Sequence, residues 1–301
     1  MAKEKKTNWN VWKVIGIVLL VIIGIQLLVS LGSFLFNFEG PRGSVPVVAV
    51  VPIYGAIVTD STPSIFGTDE ASSRRLMQVI DEIERDRNVD AVIFHINSPG
   101  GFVVPSHKVA QAIANMEKPN VALIEDLGAS GAYWVASSSD YIVADDFSMV
   151  GSIGVIASYL NFEGLIERFN ISYERLVSTE LKDMGTPFKE LTEEEREVFQ
   201  NMLDTLHNSF VEAVAVNRGF DEEQAIAVSN GRVFLGLEAL ELGLVDELGG
   251  RREADEYLKQ HFNATRLSFV SYARQPGFLA QLFGVQSSLP ELDARTVPQF
   301  R

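Results

Sequence analysis

The residues with the best prospect of doing chemistry cluster in glycine-rich turns that follow apolar runs. Ala91–Ile96 leads into Asn97-Ser98-Pro99-Gly100-Gly101, and Val121–Ile124 leads into Glu125-Asp126-Leu127-Gly128-Ala129-Ser130-Gly131. Ligands of α/β proteins collect where strands end. Ser130 stands between small residues at a predicted strand-to-helix junction, where its hydroxyl is open to a substrate and a helix N-terminus favours developing negative charge. The N–H of Gly131, with that of Gly100 or Gly101, has the character of an oxyanion hole. Each feature also has a plain structural reading. Serine is a good helix N-cap, and paired glycines suit a tight turn that needs positive φ.

A nucleophilic serine needs a base. The four histidines are His95, His107, His207 and His261, and none lies in a strand-end turn. His95 falls inside a predicted strand, His107 on a polar helix start facing solvent, and the other two in polar helical stretches. A lysine can serve if it is stripped of water, because desolvation disfavours the ammonium. Lys182, in Leu181-Lys182-Asp183-Met184-Gly185, has apolar neighbours and no basic run around it. Most lysines are surface residues, and Asp183 fits an exposed loop equally well.

These turns need strands and helices to hold them. Val47–Val51 reads as a buried strand and Ala91–Ile96 and Val121–Ile124 as two more, with Tyr141–Ala144 and Ser152–Ala157 as further candidates. Ser72–Glu84 carries Leu76, Val79, Ile80 and Ile83 at helical spacing. Ser106–Met116, Ser130–Ser137, Leu160–Phe169 and Asp221–Ser229 also read as helices, and Tyr173–Val177 as extended. Thr192 followed by Glu193–Glu195 opens a long helix to about Asn217. Alternation of this kind predicts an α/β fold with a mostly parallel sheet covered by helices.

The chain of 301 residues has 47% hydrophobic residues and a net charge of -15, which describes a globular, acidic protein. So acidic a chain argues against nucleic acid, because phosphate binding needs a basic face. There is no cysteine, so disulfides and thiolate nucleophiles are excluded, and the sparse histidines make a metal site or other cofactor improbable. Val14–Phe36 is uncharged and, as a helix, about 34 Å long, enough to cross a bilayer. Lys3, Lys5, Lys6 and Lys13 precede it and only Arg42 follows closely, so the positive-inside bias places the N-terminus in the cytoplasm. The rival, a cleaved signal peptide, has only Ser30-Leu31-Gly32 as a weak site. The expected organisation is a cytoplasmic tail (1–13), an anchor (14–36), a linker (37–44), a catalytic domain (45–273) and a C-terminal tail (274–301).

Together, His95–Gly101, Gly128–Tyr133, Tyr141–Ile156, Ser178–Pro187 and Asn230–Gly250 resemble the signal peptide peptidase A family of serine peptidases. The resemblance spans about Val45 to Leu258. It implies a Clp protease/crotonase-like fold of repeated ββα units, Ser130 as nucleophile and Lys182 as general base. It further implies that Ser152 helps to hold the lysine, and that Gly100 or Gly101 forms the oxyanion hole with Gly131. Ser152 also reads as an ordinary turn serine. Ser178-Thr179 replaces the usual Ser-Gly, and Leu235 and Leu237 replace more polar residues, which bears on substrate preference.

The activity implied is endopeptidase cleavage of remnant signal peptides or other apolar membrane peptides, without cofactor, by a homo-oligomer. It would occur at the cell (inner) membrane, with the catalytic domain outside the cytoplasm. Competing readings are a related Ser–Lys peptidase that trims membrane-scaffold proteins, a crotonase-type acyl-CoA enzyme and an inactive membrane scaffold.

Overall fold

The computed structural model describes residues 45–61 and 70–272. The expected N-terminal tail, the anchor 14–36, the linker 37–44 and the C-terminal tail 274–301 lie outside the described residues. No helix among the described residues is long and apolar enough to cross a membrane.

Runs of β-branched residues make the central strands. They are β1 (Val47–Tyr54), β4 (Ala91–Ser98), β5 (Asn120–Ala129) and β6 (Tyr141–Ala144). With β9 (Glu247–Leu248) and β10 (Ser268–Ser271) they form a parallel sheet in the order β10-β1-β4-β5-β6-β9. Continuous apolar character fits strands covered on both faces. On one face pack α1 (Ser73–Arg85), α2 (Val103–Ala114), α3 (Gly131–Ser137) and the inner end of α5 (Glu193–Arg218), around Phe94, Ile96, Ile124, Trp134 and Phe210. On the other, α8 (Arg251–His261) covers Ile93, Val121 and Leu123 with Ala254 and Leu258. The structure is therefore a mixed α/β fold.

Caps set the helix limits. Ser72 accepts from Arg75 N at the start of α1, and Thr192 and Glu195 form a reciprocal capping box on α5. Gly219, at φ 66°, closes α5. Its inner turns are held by Phe210, whose ring stacks on Trp134 at 4.5 Å, and by buried Val214.

Two expected strands do not form. Ser152–Ala157 is not a strand. The strand there is the shorter β7 (Met149–Gly151), which runs antiparallel to β8 (Val233–Leu235), and the chain leaves the sheet at Ser152 with φ 51°. Tyr173–Val177 forms no strand either, and no strand among the described residues pairs with it. The expected helix Leu160–Phe169 shortens to α4 (Glu163–Arg168), and α6 (Glu222–Val228) forms where Asp221 caps it. The short elements β2 (Ile57–Val58), β3 (Ala71–Ser72), β8, α7 (Gly236–Glu241) and β9 span too few residues for periodicity to reveal.

Phe210→Ala should remove the stack that fastens α5 to α3 and lower the unfolding free energy by about 3–5 kcal/mol. Urea denaturation would measure this as a lower midpoint at unchanged slope.

Candidate active site

Strand β5 changes partners along its length, and this makes the site. Its first half pairs with β6, from Val121↔Tyr141 to Ile124↔Ala144, and its second half pairs with β7, from Leu127↔Met149 to Ala129↔Gly151. Between the halves, Glu125-Asp126-Leu127 bulges against the single Asn97 of β4, so Ser98 pairs with Gly128. Ser148 Oγ donates to the Glu125 carbonyl and accepts from Asp145 N, which pins the crossover. The strand ends β4, β5 and β7 are thereby brought level, each leading into one of the glycine-rich turns.

Ser130 follows immediately, with φ 54° and ψ −127°. A side chain in this sparsely populated region costs about 1–3 kcal/mol, which the surroundings must offset. Ser130 N donates to the Gly151 carbonyl at 2.7 Å, and its own carbonyl accepts from Tyr133 N and Trp134 N. Its hydroxyl makes no capping bond to α3. An ordinary N-cap serine has β-region backbone and caps with its side chain. Ser130 does neither, and it stands half-buried with its hydroxyl uncommitted.

The Asn97–Gly101 turn lies directly against it. Gly100 has φ 89°, and a Cβ there would lie 2.6 Å from Gly131 N and 2.9 Å from Ser130 Cβ. Only glycine permits that approach. Buried Ser98 orients the turn: its Oγ donates to the Gly55 carbonyl at 2.6 Å and accepts from Gly100 N at 3.1 Å. Gly100 N–H is therefore committed. Gly101 N–H is not, because the bridge to Ile57 uses Ile57 N to the Gly100 carbonyl and Phe102 N to the Ile57 carbonyl. Gly131 N–H, at the first position of α3, has no intrahelical acceptor. A Cβ on Gly131 would lie 3.4 Å from Gly101 N and 2.2 Å from Ser106 Oγ. Two unpaired N–H groups, Gly101 and Gly131, thus flank Ser130.

Ser152 follows β7 as Ser130 follows β5, and the preceding residues Gly151 and Ala129 are register partners. Both serines have positive φ. Ser152 N donates to the Arg232 carbonyl at 2.8 Å, and its half-buried side chain follows the end of β7, next to the end of β5.

Lys182 sits exposed on a 3-10 turn, Glu180–Asp183, and no hydrogen bond joins it to Ser130 among the described residues. Asp183, expected in an exposed loop, is held by Arg175, with Nε to Oδ2 at 2.7 Å and Nη2 to Oδ1 at 2.9 Å. Lys189 reaches both Asp183 and buried Glu195. The Arg175 guanidinium keeps the Asp183 carboxyl below its ordinary range, and Lys189 does the same for Glu195. Sequence spacing alone did not reveal this network.

The histidines do not supply a base. His95 Nδ1 is 2.7 Å from Tyr54 Oη and its Nε2 is 3.3 Å from Glu125. Burial pushes its pKa down, with Glu125 opposing. His107, expected to face solvent, is half-buried and packs on Trp134 with ring centres 5.2 Å apart. No group of three or more acidic or histidine side chains among the described residues is placed to hold a metal.

A serine hydroxyl beside two free backbone donors defines a site for acyl transfer. The family model for Peptidase family S49 matches residues 112–265, just over half of the chain. Relatives include “Putative protease MJ0651” of Methanocaldococcus jannaschii, 35% identical over 69% of this chain and 68% of that one. “Putative signal peptide peptidase SppA” of Enterococcus faecium is 30% identical over 79% of this chain and 70% of that one. Among solved structures, a mutant of the 1510-N membrane-bound stomatin-specific protease superposes with a TM-score of 0.50, covering 77% of this chain and all of that one. At 15% identity, that likeness speaks to the fold alone. The chain belongs to Peptidase family S49 and is a serine peptidase.

Gly100→Ala should drive a methyl group into Gly131 N and the Ser130 side chain. We expect kcat/KM to fall by about 10²-fold or more, the usual cost of a lost oxyanion donor, in a peptide-cleavage assay. The carboxyls of Asp183 and Glu195 have folded pKa values below their unfolded ones. Their stabilising contribution is full above the unfolded values near about 4 and is lost as pH falls through the folded values. Hydrogen exchange in 175–195, corrected for the intrinsic rate, should therefore show protection that drops below about pH 4 before that of β4 and β5 does.

Proposed function

We infer that the chain is a membrane-anchored endopeptidase in which Ser130 is the nucleophile and Lys182 the general base. Remnant signal peptides or similar apolar peptides are its substrates. The observation that carries the reading is the uncommitted Ser130 hydroxyl, at a positive φ, flanked by the free N–H groups of Gly101 and Gly131. Ser130 Oγ attacks the peptide carbonyl as Lys182 removes its proton. The two N–H groups receive the oxyanion, the lysine returns the proton to the leaving amine, and water releases the acyl group. Gly100 allows the close approach, and Ser152 helps to hold the lysine.

A lysine acts as a base only when it is neutral, which requires a dry setting. In one copy Lys182 is exposed and makes no hydrogen bond to Ser130 among the described residues. The segment around it also leaves large apolar side chains in water, with Leu176 98% and Ile156 87% exposed. Such exposure supports cover by another chain. In this reading a second copy covers the segment and seats Lys182 against its own Ser130, so the working unit is a homo-oligomer. The anchor reading is supported by the uncharged Val14–Phe36 and its flanking lysines. It places the peptidase domain outside the cytoplasm at the cell membrane. The substrate reading is supported by the relative named for signal peptides.

The test is cleavage of synthetic signal peptides by the full chain in detergent or reconstituted membranes. Ser130→Ala and Lys182→Ala should each lower kcat by at least about 10³-fold while the fold is retained. A fluorophosphonate probe should label the unaltered protein at Ser130. Cleavage by either variant at the unaltered rate would overturn the assignment.

A further inference from the structure

The turn that carries Lys182 has almost nothing of its own to hold it. A four-residue 3-10 helix is too short to be stable alone, and Glu180–Asp183 has no buried residue. Between Ile153 and Glu195 no side chain is buried, so the hydrophobic core does not fix the segment. What holds the turn is charge. Arg175 grips the Asp183 carboxylate through Nε and Nη2, at 2.7 and 2.9 Å. The same Nη2 donates to the Glu180 carbonyl, and Nη1 lies 3.3 Å from the Glu180 carboxylate. The turn is thus clamped at both ends by one guanidinium.

A second pair connects the clamp to the body of the fold. Lys189 Nζ lies 3.7 Å from Asp183 Oδ1 and bonds Glu195 Oε1. Glu195, whose side chain is only 1% exposed, accepts from Thr192 N at 2.9 Å through its other oxygen, closing the capping box of α5. Helix α5 is seated on α3, the helix that begins after Ser130, through Phe210. A continuous polar path therefore runs from the Lys182 turn to a helix anchored in the core. The direction of Lys182 follows from the same contacts. With three residues per turn, successive side chains of a 3-10 helix diverge by about 120°. Directing Asp183 inward to Arg175 therefore turns Lys182 outward.

We propose that Arg175, Asp183, Lys189 and Glu195 are positioning residues that aim Lys182 as the general base. The proposal rests on the assignment of Lys182 as base. The fork of Arg175 is part of it, because a point-charge lysine cannot make the same two-toothed contact with a carboxylate.

The test uses the full chain and an activated ester of an apolar peptide, on which residual turnover stays measurable. Asp183→Asn and Arg175→Lys are each made in the wild-type and in the Lys182→Ala background. In the wild-type background each should lower kcat tenfold or more and leave KM within twofold. In the Lys182→Ala background each should have no further effect, since there is no longer a base to aim. A loss of equal size in both backgrounds, a loss confined to KM, or wild-type kcat in Asp183→Asn overturns the proposal. If Asp183→Asn does not fold, Arg175→Lys decides by the same criteria. Wild-type turnover by Lys182→Ala would overturn the base assignment itself and the clamp with it.

Discussion

Everything at the site depends on how closely two backbone turns approach each other. Gly100 sits where a single methyl group would strike Gly131 N and the Ser130 side chain. The β5–β7 register then lets Gly151 accept from Ser130 N, which holds the serine in a conformation its own backbone disfavours. Each contact constrains the other. Relaxing Ser130 into ordinary helix-cap geometry would break the bond to Gly151 and turn its hydroxyl toward the helix. Widening the Gly100 approach would separate Gly101 N–H from Gly131 N–H. The bulge at Glu125-Asp126-Leu127 allows one strand to serve both β6 and β7, and so places these pieces at one level.

Much of this was readable from residue types. Valine and isoleucine runs marked β1, β4 and β5, and turns rich in glycine marked their ends, so Ser130, Gly100, Gly101 and Gly131 stood out as candidates whose roles only the family resemblance supplied. What residue types could not resolve was which glycine would donate. Gly100 and Gly101 are adjacent, and only the Ser98 and Ile57 bonds distinguish a committed N–H from a free one. The end of β7 was misplaced for a related reason. Ser152–Ala157 has strand-like composition, but the pairing with β8 stops at Gly151, and a ladder is a property of two segments. The partnership of Arg175 with Asp183 and of Lys189 with Glu195 was equally hidden. Charges are frequent in this stretch, and composition does not say which of them meet.

The same stretch is the reason for proposing that the site is completed by a second copy. The proposed nucleophile, Ser130, belongs to a core in which Tyr133, Trp134 and Phe234 are buried. Its proposed base belongs to a segment with no buried residue, held by ion pairs and exposing aliphatic side chains. Water around an ammonium group favours its charged form, so chemistry would wait until another surface removes that water. Coupling activity to assembly in this way would also keep a peptidase for apolar peptides inactive until its subunits have met.

In the proposed assembly, Ser130 of one copy works with Lys182 of another, and this pairing is open to a direct test. It is tested most directly by co-expressing full-length Ser130→Ala and Lys182→Ala chains and assaying the purified mixed assembly. Shared sites predict that the mixture recovers activity, up to about a quarter of the wild-type rate for random pairing of equal amounts, although each parent is dead. A mixed assembly that forms yet stays as inactive as its parents would contradict the account.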